Sequence, residues 1–125
     1  VKQHFIFARV AKTNVKYLFY FQRDKMMIHE VAELTVSPQD MQAFEQAVNE
    51  AAPHFQAAEG CHALRLEKVI EHSGQYRLIV AWESVEAHMV TFRESAGFQA
   101  WRSLAGPFFT EPPKVYHLEL VVAGF

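Results

Sequence analysis

The sequence predicts an α+β domain with the element order β-α-β-β-α-β. Three observations carry this. Four short stretches mix apolar and polar residues at strand spacing, at Ile28 to Val36, Cys61 to Glu71, Tyr76 to Glu83 and Val115 to Ala123. Helix-period patterns separate the first stretch from the second and the third from the fourth. Turn and cap residues stand at the junctions: Ser37-Pro38, Gly60, Ser73-Gly74, Ser84 and Gly106-Pro107.

Each element follows from its residues. After the first strand, Ser37-Pro38-Gln39-Asp40 supplies a Ser cap, a Pro at the first helical position and an acid three residues after the cap. Met41, Phe44, Val48, Ala51, Ala52 and Phe55 then recur at helical spacing, with Pro53 placed to kink or shorten the helix. Gly60 is a natural stop. Ser73-Gly74 joins the second and third strands as a hairpin. Ser84 caps a short helix whose Val85, His88, Met89 and Phe92 share a face. Ser95-Ala96-Gly97 interrupts it, and a second short helix carries Phe98, Trp101, Leu104 and Ala105 inward. Gly106-Pro107 and Pro112-Pro113 bracket a loop holding Phe108 and Phe109, which fits a lid over the pocket or, better, packing at an interface between copies. The order is the split βαβ pattern of ferredoxin-like folds.

Strands two, three and four carry apolar residues on both faces. Tyr76, Leu78, Val80 and Trp82 alternate with Ile79 and Ala81, and Leu118, Leu120 and Val122 alternate with Val121. The helices cover one face. A unit of roughly 100 residues has no second layer for the other, so self-association is expected.

The whole chain has 125 residues, half of them apolar, and a net charge of −2. That is one domain's worth of chain with a real core. Near-neutrality conceals a split. Residues 1–25 carry six Lys/Arg against Asp24 alone, about +5; residues 26–125 carry six against thirteen acids, about −7. The acidic part is the domain. The basic, aromatic first 25 residues read as an N-terminal extension, either a hairpin (His4 to Val10, then Val15 to Phe21) or a leader not native to the domain. Nothing argues for nucleic-acid binding, and no stretch reaches the ~18 apolar residues of a membrane span. One cysteine, Cys61, excludes an internal disulfide and CxxC chemistry and is compatible with a reducing cytoplasm.

No nucleophile motif, phosphate loop or dinucleotide fingerprint is present. The seven histidines show no HxH, HxxxH or HExxH spacing, so no metal site is expected. The informative region runs from Trp82 to Phe92 and on to Phe98 and Trp101. It makes an aromatic concavity around His88, with Trp82, Met89, Phe92, Phe98 and Trp101 as walls. A neutral imidazole there can take a proton from an acidic phenol or hydroquinone. The same spacing also describes a satisfied core histidine among core aromatics.

From Met27 to Phe125 the chain resembles the antibiotic biosynthesis monooxygenase (ABM) superfamily. The residues that carry the resemblance are Val36-Ser37-Pro38, Glu59-Gly60-Cys61-His62, Trp82-Glu83-Ser84 with His88 six residues after Trp82, Ser95 with Phe98, and the terminal strand after a Pro-containing loop. The resemblance implies a ferredoxin-like protomer that forms a homodimeric α+β barrel. It implies a cofactor-independent monooxygenase that binds a small aromatic or quinol-like molecule, deprotonates it and lets the anion reduce O2. His88 would accept the proton or orient the substrate hydroxyl. The family's second histidine falls at Thr91 here. The Asn/Trp/His set of heme-degrading members finds no Asn in Ile28 to Val36, so heme cleavage is disfavoured. Two other classes fit the same fold: a non-catalytic dimeric module that holds a small apolar ligand, and a small-metabolite isomerase or lyase.

Overall fold

Alternation along the strands decides which side chains meet the helices. The structure is a computed structural model, and it describes residues 27–125. The hairpin or leader expected over residues 1–25 lies outside the described residues. The elements are β1 (Ile28–Thr35), α1 (Met41–Gln56), β2 (Cys61–Lys68), β3 (Gln75–Trp82), a π-helix (Ala87–Phe92), α2 (Ala96–Ala105) and β4 (Lys114–Glu119). The fold is the expected α+β, ferredoxin-like one. Its sheet has the order β2-β3-β1-β4, and every adjacent pair is antiparallel.

The even-numbered residues of β1 and β3 face the helices. Ala32, Leu34, Tyr76, Leu78, Val80 and Trp82 join Phe44, Phe55, Phe92 and Trp101 in one core. Burying each large apolar side chain there contributes roughly 1.5–3 kcal/mol. The Tyr76 hydroxyl does not go unpaired in this core: it donates to Glu45 Oε2 at 2.6 Å.

Several ends differ from the sequence expectation. The Ser37 side chain makes no cap bond; a 3-10 turn over Pro38–Asp40 starts the helix, with Asp40 N–H donating to the Ser37 carbonyl. Pro53 does not end α1, because Ala57 N–H reaches the Pro53 carbonyl at 3.0 Å and the helix runs on to Gln56. β2 stops at Lys68, its partner being Tyr76, where the hairpin loop begins. β4 stops at Glu119 because that residue pairs with Ile28, the first of β1. Leu120 to Phe125 continue without a ladder partner among the described residues.

Two glycines are fixed by close approach. Gly74 has φ +84°, and a Cβ there would lie 2.3 Å from the Val36 carbonyl oxygen. Gly60 has φ +80°, and a Cβ would come within 2.9 Å of Ala87 Cβ, the start of the π-helix. Gly60 therefore lets the segment carrying His88 sit down on the turn between α1 and β2.

Candidate active site

Cap chemistry places the π-helix between Trp82 and α2. Ser84 Oγ accepts from Ala87 N–H at 3.0 Å at its start. At its end Ser95 Oγ donates to the Phe92 carbonyl and accepts from Phe98 N–H at 3.2 Å, so one hydroxyl closes the π-helix and opens α2. Between them Arg93 N–H reaches back five residues to the His88 carbonyl at 3.3 Å. This wide turn is an irregularity that recurs at functional sites.

The structure puts His88 on the helix-covered side of the sheet, 3% exposed, with its ring stacked on Trp82 at 5.2 Å and 15°. It is not alone there. Glu30, on the inward parity of β1, is 5% exposed, and its Oε1 lies 3.3 Å from His88 Nε2. The same oxygen accepts from Trp82 Nε1–H at 2.9 Å. On the other side His88 Nδ1 lies 2.9 Å from His117 Nε2 of β4. With the His88 Nε2 proton directed at the carboxylate, Nδ1 accepts and His117 donates. Glu30 and His117 are direct cross-strand partners of β1 and β4. Register alone thus brings Glu30 beside His117, and the π-helix lowers His88 between them.

Burial sets the electrostatics. Desolvation pushes the Glu30 carboxyl up to about 7, against the lowering effects of the Trp82 hydrogen bond and the Arg93 charge. Desolvation also lowers His88 to about 4, helped by the charges of His117 and Arg93. His117 is lowered for the same reasons, burial first and then Arg93. Near neutrality both imidazoles are neutral and Glu30 is the group that titrates. Oε2 of Glu30 has no hydrogen-bond partner among the described residues.

Glu30 and His88, but not His117, border a cavity of about 550 Å³ between the sheet, the π-helix and α2. Glu30 and His88 contribute polar atoms, and Phe92, Phe98, Trp101 and Phe109 contribute aromatic surface. This composition, apolar walls with a few convergent polar groups, is that of a small-molecule site. A larger hollow of about 690 Å³ lies on the opposite face, along His29, Val31, Ile79, Ala81 and Leu118. It borders none of the buried titratable groups.

The expected walls divide three ways. Phe92, Phe98 and Trp101 line the cavity, whereas Trp82 lies behind His88 and holds it through stacking and the Glu30 bond. Met89 is 37% exposed and does not line the cavity, since one residue on from His88 the π-helix has turned toward solvent. Phe108 and Phe109, expected at an interface, pack on Phe44 of the same chain at 6.0 and 6.1 Å. Sequence reasoning missed Glu30 and His117. The signal for Glu30 was available: an acid on the apolar parity Ile28, Ala32, Leu34 of a strand. His117 had none, because the more apolar parity of its strand, Leu118 and Leu120, faces the other way.

Cys61, Arg65 and Arg77 lie outside this cavity. Burial pushes the Cys61 thiol up to about 11, which keeps it protonated and unreactive at neutral pH. Arg65 pairs with Glu67 at 2.8 Å, and Arg77 lies 3.9 Å from Glu33. No helix among the described residues is long and apolar enough to cross a membrane.

The antibiotic biosynthesis monooxygenase family matches residues 27–104. The chain is 36% identical over 93 residues to the uncharacterized protein YczJ of Bacillus subtilis, covering 74% of this chain and 98% of that protein. A crystal structure from Bordetella bronchiseptica, described as a candidate antibiotic biosynthesis monooxygenase, superposes with a TM-score of 0.75. It is 47% identical, with 77% of this chain and 98% of that one covered. SnoaB, a cofactor-independent oxygenase from Streptomyces nogalater, shares the fold in its N63A mutant, with a TM-score of 0.64. It is 17% identical, with 79% of this chain and 97% of that one covered. By sequence match, by close relatives and by fold, the chain belongs to the antibiotic biosynthesis monooxygenase family and has its monooxygenase-type fold.

Proposed function

We propose that the chain is a cofactor-independent monooxygenase for a small aromatic or quinol-like substrate, with Glu30 accepting the proton and His88 orienting the groups that exchange it. The observation that carries this is a buried carboxyl on the border of an aromatic-walled cavity, with only one of its oxygens engaged by Trp82 and His88; burial pushes it up to about 7. A general base works best with a pKa near the working pH. His88, held down to about 4, is a poor acceptor, so its part is to orient the substrate hydroxyl and the carboxylate.

The chemistry then needs no external reductant. Glu30 takes a proton from an acidic phenol, hydroquinone or ring-activated CH2. The resulting anion gives one electron to O2, and the two radicals join to form a C–O bond. For a CH2 centre, protonation of the peroxide from Glu30 and loss of water leave C=O. One oxygen atom enters the product and the other leaves as water. The enclosed aromatic walls orient the ring and keep bulk water from the anion.

A second copy of the chain completes this proposal. On the open face, Leu118 is exposed and Ile79 half-buried beside the buried Val31 and Ala81, and no helix or strand among the described residues covers them. A homodimer joined through that face, in a reducing cytoplasm that keeps Cys61 free, is the reading we adopt.

Oxygen uptake by the purified protein over a panel of hydroquinones, anthrones and naphthols tests the activity. Turnover with one of them, depressed in Glu30→Gln and His88→Ala, is the expected result. Tight binding across the panel without oxygen uptake would replace this reading with a ligand-holding module.

A further inference from the structure

Two arginines of this acidic domain sit at one place. Among residues 27–125 there are six Lys/Arg and thirteen Asp/Glu, yet Arg93 and Arg102 both border the cavity. Arg93 follows the π-helix directly, and Arg102 lies one helical turn beyond Phe98 on α2. Both guanidinium carbons stand 5.9 Å from the centroid of the same Phe98 ring, itself a cavity wall. The ring attracts each of them by cation–π interaction.

Neither arginine has a carboxylate within ion-pair distance among the described residues, whereas Arg65 and Arg77 each do. Their side chains are exposed at the rim, while Glu30 and His88 lie buried within. The cavity thus has two ends of different chemistry, a proton acceptor inside and two planar cations outside.

We propose that Arg93 and Arg102 form an anion-recognition site at the mouth of the cavity, and that the substrate is an aromatic carboxylic acid. Its ring occupies the Phe92–Phe98–Trp101 walls, its carboxylate meets the guanidiniums, and its ionisable hydroxyl or CH2 is directed at Glu30. The guanidinium fork is matched to a carboxylate, which accepts two parallel N–H bonds. The field of Arg93 extends to the buried groups as well, since it acts on Glu30, His88 and His117. A carboxylate at the rim would neutralise that charge, coupling occupation of the mouth to the proton affinity inside. The inference rests on the cavity being the substrate site, as proposed above.

The test separates the two. Binding of 6-hydroxy-2-naphthoate, whose hydroxyl and carboxylate stand at opposite ends of the ring system, and of its methyl ester to the full chain is followed by quenching of the Trp82 and Trp101 fluorescence. The acid should bind on the order of tenfold or more tightly than the ester. In Arg93→Gln/Arg102→Gln its affinity should drop to that of the ester, and in Arg93→Lys/Arg102→Lys part of the preference should return. Added salt should weaken the acid alone. Equal binding of acid and ester by the wild-type chain would overturn the anion site and leave the cavity standing. So would a preference that survives both glutamines. Binding of neither would overturn the cavity reading, and this inference with it.

Discussion

The two faces of the sheet come from the same strands and differ in everything else. On β1, Glu30 is buried against the helices and neighbouring His29 lies on the open side; on β4, His117 points in and Leu118 is 51% exposed. The covered face hides polar groups inside an aromatic core. The open face leaves Leu118 and, in part, Ile79 to solvent. That inversion is informative, because a monomer gains from the opposite arrangement. Under the proposed function, the polar groups that cost desolvation on the inside serve the chemistry, and the apolar groups left outside serve contact with a second copy.

The sharpest way to break the comparison is at Glu30. Glu30→Gln keeps the shape and the Trp82 acceptor but removes the proton acceptor. Turnover should fall by about 10²–10⁴-fold with little change in binding, read from kcat and KM separately. Loss of binding with normal kcat would make Glu30 a packing residue.

Core truncation on the covered face comes next. Phe92 is 2% exposed and packs on Phe55 at 4.8 Å and Trp82 at 5.2 Å. Phe92→Ala should cost about 3–5 kcal/mol by urea unfolding. Leu118→Ala, on the open face, should cost under about 1 kcal/mol once the chain is studied below its association range. Similar costs for the two would erase the distinction between faces.

The open face is probed by Leu118→Arg. Light scattering should give half the wild-type mass, since a charge would be desolvated twice across a two-fold interface. An unchanged mass would remove Leu118 from the contact, and a monomeric wild type would remove the dimer.

The smallest effect is a pH slope. Between about 4.5 and 7, folded Glu30 holds a proton that the unfolded chain has released, so stability falls as pH rises through that window. Between about 4 and 6.5, folded His88 lacks a proton that the unfolded chain holds, so its contribution rises with pH. The slopes oppose each other in the wild type. In Glu30→Gln only the rise, from His88 and His117, should remain, and in His88→Gln the net fall should steepen, measured as the urea midpoint at several pH values. Parallel curves for all three would show that neither group is perturbed.

Most of the architecture was legible because it depends on local patterning. Gly60, Ser84 and Ser95 marked their junctions, and helical spacing put Phe92, Phe98 and Trp101 around His88. The ends were less legible, since strand length depends on a partner: β4 stops where β1 does. The site was half legible for the same reason. His88 announces itself among aromatics, but its partners come from residues 30 and 117, joined only by strand register. Nothing in either segment alone encodes that pairing.

The π-helix makes spacing itself a chemical determinant. Met89, Val90 and Thr91 lie on its exposed side and should accept replacement freely. Removing any one of them is a different event: the wide turn would close to an ordinary one, and His88 and Arg93, now joined across it, would be turned relative to each other. In this stretch a shortened chain loses more than an altered one, so related sequences that keep the chemistry should vary here in letter and not in count.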